Sequence, residues 1–224
     1  MNDKKYANIF LQTKAKKIGK IMIKYKKVGR PKLMSEDKLS QTLFHVFAAK
    51  GYASTSIADL TQATGMKPAS LYLAFGNKEG MYAAALGYYR QTWLSELQQT
   101  LNDRALCFKQ RITAFLISAF TLFSCSDKPL GCMMTFSALA FQAGESELAN
   151  QLSQERAAFV QWLEEEARQA QRDGQLSDDM TPATFASFII TLERGLALGA
   201  LDKPDPQIVR TMLEGVITML FKGK

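Results

Sequence analysis

Histidine is almost missing from this chain, and His45 is its only instance. Imidazole is the commonest metal ligand and the side chain that titrates nearest neutrality, so most metal and acid–base chemistry loses its usual carrier. Cysteine is sparse as well. Cys107, Cys125 and Cys132 are odd in number and without C-x-x-C spacing, which argues against a disulfide framework or a zinc site and leaves reduced thiols as the default. An all-helical enzyme with Cys132 as nucleophile fares badly, because the lone His45 lies in an early helix, so no Cys–His pair is expected, and no Gly-rich phosphate loop or metal cluster exists. No enzyme, metal or cofactor is therefore expected. No run of about 18 uncharged apolar residues occurs, so no membrane span is expected. The N-terminus is basic but lacks an apolar core followed by a small-residue cleavage site, so no secretory signal is read and the cytoplasm is the expected compartment.

What the chain does have is 224 residues, 47% of them hydrophobic, enough for a substantial core. Its net charge of +7 is unevenly spread. Residues 1–32 carry eleven Lys/Arg against Asp3 alone, an arm of +10 that leaves −3 for the rest. A basic arm on a mildly acidic body suits a polyanion such as DNA, the plain alternative being a solvated tail. Met22 offers a second start position, which leaves the membership of residues 1–21 open.

The most informative stretch is Thr55 to Lys78. Ser56 with Asp59 three residues on makes a capping-box pattern, and Ile57 and Leu60 give the helix that follows an apolar side. Gly65 supplies a turn, and Pro68 suits the first turn of a second helix. Leu71 and Phe75, four apart, are the expected buried side of that helix, leaving Lys67, Ala69, Ser70, Tyr72 and Leu73 toward the open side. Ahead of it, Ser35 can cap a helix bearing Leu39, Leu43, Val46 and Phe47 that runs to Gly51. Three helices over residues 33–77 thus form a helix-turn-helix unit.

Gly51-Tyr52, Thr55-Ser56, Gly65, Ser70-Leu71-Tyr72, Phe75 and Asn77-Lys78-Glu79 together resemble the TetR/AcrR family of bacterial repressors. The resemblance implies an all-α protein with an N-terminal three-helix DNA-binding domain (33–77) followed by a helical ligand-binding and dimerisation domain (78–224). It implies a sequence-specific DNA-binding regulator, a repressor in the family's usual mode, released from an inverted-repeat operator by a small-molecule inducer. Ser56, Tyr72 and Lys78 are expected to hold phosphates, Lys67 and Ser70 to reach bases or phosphates, and Arg30 to reach a minor groove or a phosphate. Ala69 and Leu73 complete the expected DNA-facing set. Leu73 and Ala74 can meet thymine methyls but cannot hydrogen-bond, so direct base readout should be thin.

Beyond Asn77, which can cap a fourth helix through Met81, Leu86, Trp93 and Leu97, the chain reads as long helices. Residues 104–124 carry Phe108, Ile112, Phe115, Leu116, Ala119, Phe120 and Phe123; a second, short helix spans Cys132 to Phe141, and an amphipathic one spans 146–173. An apolar effector is expected between the first two, against Phe108, Ile112, Phe115, Phe123, Cys132 and Phe136. Gly131-Cys132 is similar to a segment of one family subgroup that senses electrophiles or oxidants, an alternative that needs a lowered Cys132 thiol pKa at a helix start. A nonspecific DNA-coating protein is a further alternative. Thr181-Pro182 and Asp205-Pro206 start two apolar closing helices, about 182–201 and 206–221, expected to pair with a second copy as a four-helix dimer interface.

Overall fold

The structure, a computed structural model, describes residues 35–124, 131–142 and 144–221. The basic arm, Arg30 and Cys125 lie outside those residues. Among the described residues all regular structure is helical. Helix α1 (Glu36–Ser54) is capped by Ser35, whose side chain accepts from the Lys38 amide, and it breaks at Gly51, where φ is +76°. Leu39, Leu43, Phe44 and Phe47 form its buried side. Helix α2 (Ile57–Thr64) begins with the Ser56–Asp59 capping box and ends at Gly65 in the left-handed region; α3 (Pro68–Phe75) starts on its proline.

Helix α4 (Lys78–Tyr89) is capped by the Asn77 side chain, which accepts from the Gly80 amide. It does not simply continue to Leu97. A π-helical segment, Arg90–Leu94, intervenes before α5 (Ser95–Asn102). One extra residue in the turn changes the face that the second half presents, and such wide turns concentrate at functional sites. Tyr82 and Tyr89 of α4 are buried against Phe47 and Phe44 of α1, so these aromatics serve the packing of the N-terminal helices on the body.

Helix α6 (Phe108–Phe123) starts later than the sequence pattern suggests, because the Asp103 carboxylate accepts from the Ala105 amide and holds a turn there. It lies at the centre of the body, touched by α5, α9 (Pro182–Gly199) and α10 (Pro206–Leu220). Between them in sequence come α7 (Met133–Ala140) and α8 (Glu147–Arg172). Phe108, Phe185 and Phe221 pack ring to ring where α6, α9 and the end of α10 meet. Arg111 is buried within this apolar helix because its guanidinium donates to the Leu101 carbonyl at 2.9 Å and to Glu166 at 2.7 Å. A short 3₁₀ turn, Ala200–Asp202, extends α9. Together they make a stretch long and apolar enough to cross a membrane by length and composition, yet it carries Glu193, Arg194 and Asp202 and packs on α8 and α6.

Candidate functional site

The short helix α3 is anchored by Leu71, fully buried, and by half-buried Phe75, four residues apart on one side. The opposite side is open. Ala69, Ser70, Tyr72 and Ala74 are exposed, Leu73 is 60% exposed, and Lys67 stands exposed at the helix start with no cap to make. A pinned helix with a free outer face is what entry into a major groove requires.

Two of the expected phosphate contacts have prior engagements. The Ser56 hydroxyl accepts from the Asp59 amide and donates to Asp59 Oδ2 at 2.7 Å, so it reaches a phosphate only by giving up that bond. Asp59 in turn pairs with Lys50, which ties α2 to α1; that hydrogen bond and those from Ser56 hold its carboxyl well below the usual range. Lys78 Nζ lies 4.5 Å from the centroid of the Tyr52 ring and donates to the Ala53 carbonyl at 3.5 Å, and partial burial lowers its pKa. It remains at the rim of the surface that α3 presents, with two further protons to give.

A cavity of about 80 Å³ opens in the body. Leu94, Leu97, Gln98 and Leu101 supply one wall, Phe115 a second, and Cys132, Met134 and Thr135 a third; Arg156, Phe159, Ile190, Glu193 and Arg194 complete it. Of the residues that the sequence pattern pointed to, Phe115 and Cys132 line it. Phe108, Ile112 and Phe123 instead fill the core, and Phe136 packs across Gly131, where an added Cβ would lie 2.3 Å from its ring. The cavity therefore sits among five segments rather than between α6 and α7 alone. Gln98, Arg156 and Glu193 escaped sequence reading because only the packing of distant helices brings them together.

Cys132 is buried, and burial first, then the nearby Glu193 carboxyl, push its thiol up to about 11. The start of an eight-residue helix does not offset that desolvation, so the lowered pKa expected of a helix-start thiol is not what the fold produces. Tyr89 Oη donates to its sulfur at 3.5 Å, and Tyr82 Oη to the Met133 carbonyl at 3.3 Å. Helix α7 is thereby fixed to α4 at one end. At its other end the Phe141 ring packs, tilted, with its centroid 4.4 Å from that of Tyr52 and 5.1 Å from that of Tyr82. This short rod is one of the connections between the cavity wall and the N-terminal helices.

Comparison with known proteins gives this geometry its context. Residues 42–85 match the family model described as bacterial regulatory proteins, tetR family, and residues 109–215 match the tetracyclin repressor-like C-terminal domain, more than half of the chain between them. The chain belongs to the TetR family. As a TetR-family protein it is a DNA-binding transcriptional regulator whose partner is double-stranded DNA. It is 27% identical over 172 residues to the HTH-type transcriptional repressor ComR of Escherichia coli K12, covering 77% of this chain and 82% of that one. A 75-residue stretch, 34% of this chain and 38% of the relative, is 33% identical to the repressor BdcR of the same organism. Its fold is shared by the regulator CifR, solved with a 26-base-pair operator DNA, at 28% identity and a TM-score of 0.74 over 84% of this chain and 98% of CifR.

Proposed function

We propose that this TetR-family protein is a homodimeric, cytoplasmic repressor that leaves an inverted-repeat operator when a small molecule fills the body cavity. Residues 33–77 act as the DNA-binding head and 78–224 as the effector and dimerisation body. The supporting observation is the helical run that starts beside α3 and ends on the cavity: α4 borders the head, and Leu94, Leu97, Gln98 and Leu101 at the far end of the same run line the cavity wall. A ligand that moves that wall moves the head. To carry the operator-bound fraction from 99:1 to 1:99, it must prefer the released form by about 5.5 kcal/mol.

Dimerisation is supported by the outer faces of α9 and α10. Leu198 is 60% exposed, Ile208 69% and Met219 64%, and Phe188 and Met212 are exposed as well, although the inner faces of both helices are packed. Apolar patches of this kind on consecutive helices mark an interface, and a two-fold axis through them presents two copies of α3. In the head, Lys67 and Ser70 read bases or phosphates, Tyr72 and Lys78 hold the backbone, Ala69 and Leu73 meet apolar base edges, and Ser56 helps hold the strand if its bond to Asp59 opens. Arg30 and the basic arm add contacts in the adjoining groove.

Sequence selection with the full chain should return an inverted repeat. About eight phosphate contacts per dimer give a log–log salt slope on the order of −7. Recovery of unrelated sequences, with random DNA competing equally, overturns the reading in favour of nonspecific DNA coating. Sedimentation that shows only monomer at micromolar protein removes the dimer.

A further inference from the structure

Arg156, Glu193 and Arg194 line the cavity, and the first two, of opposite sign, do not satisfy each other. Arg156, from α8, is half-buried and donates from Nη1 to Ser137 Oγ at 2.8 Å. Among the described residues it forms no ion pair. Its neighbour Glu155 is occupied, since one carboxylate oxygen takes Arg90 and the other accepts from Gln151 at 2.9 Å. Glu193, from α9, has Arg194 as the charge acting on it, from its own helix. Tyr89 of α4 and Cys132 ahead of α7 also face it, each pushed upward in part by its charge.

These two groups differ in what they can do without a partner. A carboxyl deprived of water takes up a proton, and burial does raise Glu193 to about 7. A guanidinium cannot lose one, so the unmet demand in this cavity is for an anion. The shape of the demand is also set. Five N–H donors in a planar fork match a carboxylate in two-point contact, and fully buried Ser137 positions that fork by accepting from one of them. Most of the remaining wall is apolar, with Gln98, Thr135 and Arg194 as its other polar members, and the space admits only a compact body.

We propose that the effector is a compact organic carboxylate, its anionic end seated on Arg156 and its apolar remainder against Leu97, Phe115, Phe159 and Ile190. This rests on reading the cavity as the effector site. Glu193 sets the pH response. While protonated it leaves the ligand's charge unopposed, and as pH rises through its titration near 7 it becomes an anion beside an anion. Affinity therefore falls with rising pH, while Tyr89 and Cys132, both pushed upward by burial, stay neutral throughout that window.

The test is calorimetric titration of the full-length protein with isovalerate and benzoate, their neutral amides, and benzylamine. The carboxylates bind, and the amides and the amine do not. Arg156→Gln weakens carboxylate binding by about tenfold or more, whereas Arg156→Lys keeps part of it. Glu193→Gln binds the carboxylates but loses the decline in affinity between about one pH unit below and one above neutrality. Amides or benzylamine binding as tightly as the carboxylates, equal binding by both Arg156 variants with their melting curves unchanged, or no binding by any probe overturns the proposal. The parent reading fails separately. Carboxylate binding that leaves operator affinity unchanged removes the effector role but keeps the site, and operator release by benzylamine or an amide does the reverse.

Discussion

The rings of Tyr52 and Phe141 meet with centroids 4.4 Å apart, which joins the end of the first helix of the head to the end of α7. Tyr52 in turn lies beneath the Lys78 ammonium, so a displacement of α7 arrives at the rim of the DNA-binding surface within two contacts. Phe141 is buried and also touches Tyr82. Phe141→Ala should cost about 3 kcal/mol in urea unfolding and Phe141→Leu under about 1.5. Amide exchange should rise in α7 and around Gly51 to Ser54 while α10 stays protected. Uniform acceleration over the whole chain would mean that the contact stabilises the fold without coupling its two parts.

Lys78 has a double assignment, and the two parts are separable. Lys78→Ala should flatten the log–log salt dependence of operator binding by about one unit and weaken all DNA sequences alike. It should also lose about 0.5–1 kcal/mol of stability from the contact with Tyr52. Lys78→Arg should keep most of both. A salt slope identical to that of the unaltered protein would leave Lys78 as a structural cation only.

The head was legible in the sequence because its rules are local. Ser56 and Asp59, Gly65, Pro68, and the Leu71–Phe75 pair each act within one turn or one helix, and each takes the expected place. The closing helices were legible for the same reason, since Thr181 and Asp205 cap directly in front of their prolines. The cavity was not. Arg156 reads as one more charge on an amphipathic helix and Glu193 as an oddity in an apolar one, and only the convergence of α5, α6, α8, α9 and the start of α7 places them together. Aromatic content was a poor guide. Phe108 and Phe123 are apolar enough for a pocket wall but go to the dry core, where large rings find the most contacts. The π-helical turn at Arg90 was equally silent, because no residue in Arg-Gln-Thr-Trp-Leu marks it.

That turn is held by the pair between Arg90 and Glu155, the latter almost fully buried on α8. Glu155→Gln removes the charge opposite Arg90 and leaves a guanidinium in a mostly enclosed site. The cost should be about 3–5 kcal/mol, because an uncompensated buried charge is worse than no charge at all. Replacing both, as Arg90→Met with Glu155→Leu, should restore most of that stability. Urea unfolding of the two single variants and the double variant checks this as a cycle. Additive losses would show that the pair is not a unit.

Gly80 and Gly87 both lie in α4, and sequence alone gives no reason to treat them differently. Helix propensity predicts a gain of about 0.5–1 kcal/mol for alanine at either. The structure separates them. A Cβ at Gly87 meets open space, whereas a Cβ at Gly80 would lie 1.9 Å from the carbonyl oxygen of Phe75, the last residue of α3. The carbonyl is backbone and the position of a Cβ is fixed by its own backbone, so no rotamer change relieves the clash. The start of α4 and the end of α3 must move apart, which shifts the recognition helix. Gly87→Ala should therefore raise the melting temperature and leave operator binding intact. Gly80→Ala should destabilise by about 1–3 kcal/mol, and fluorescence anisotropy should show weakened operator binding at temperatures where it is still folded. If the two variants melt and bind alike, the close approach of these helices does not set the position of α3.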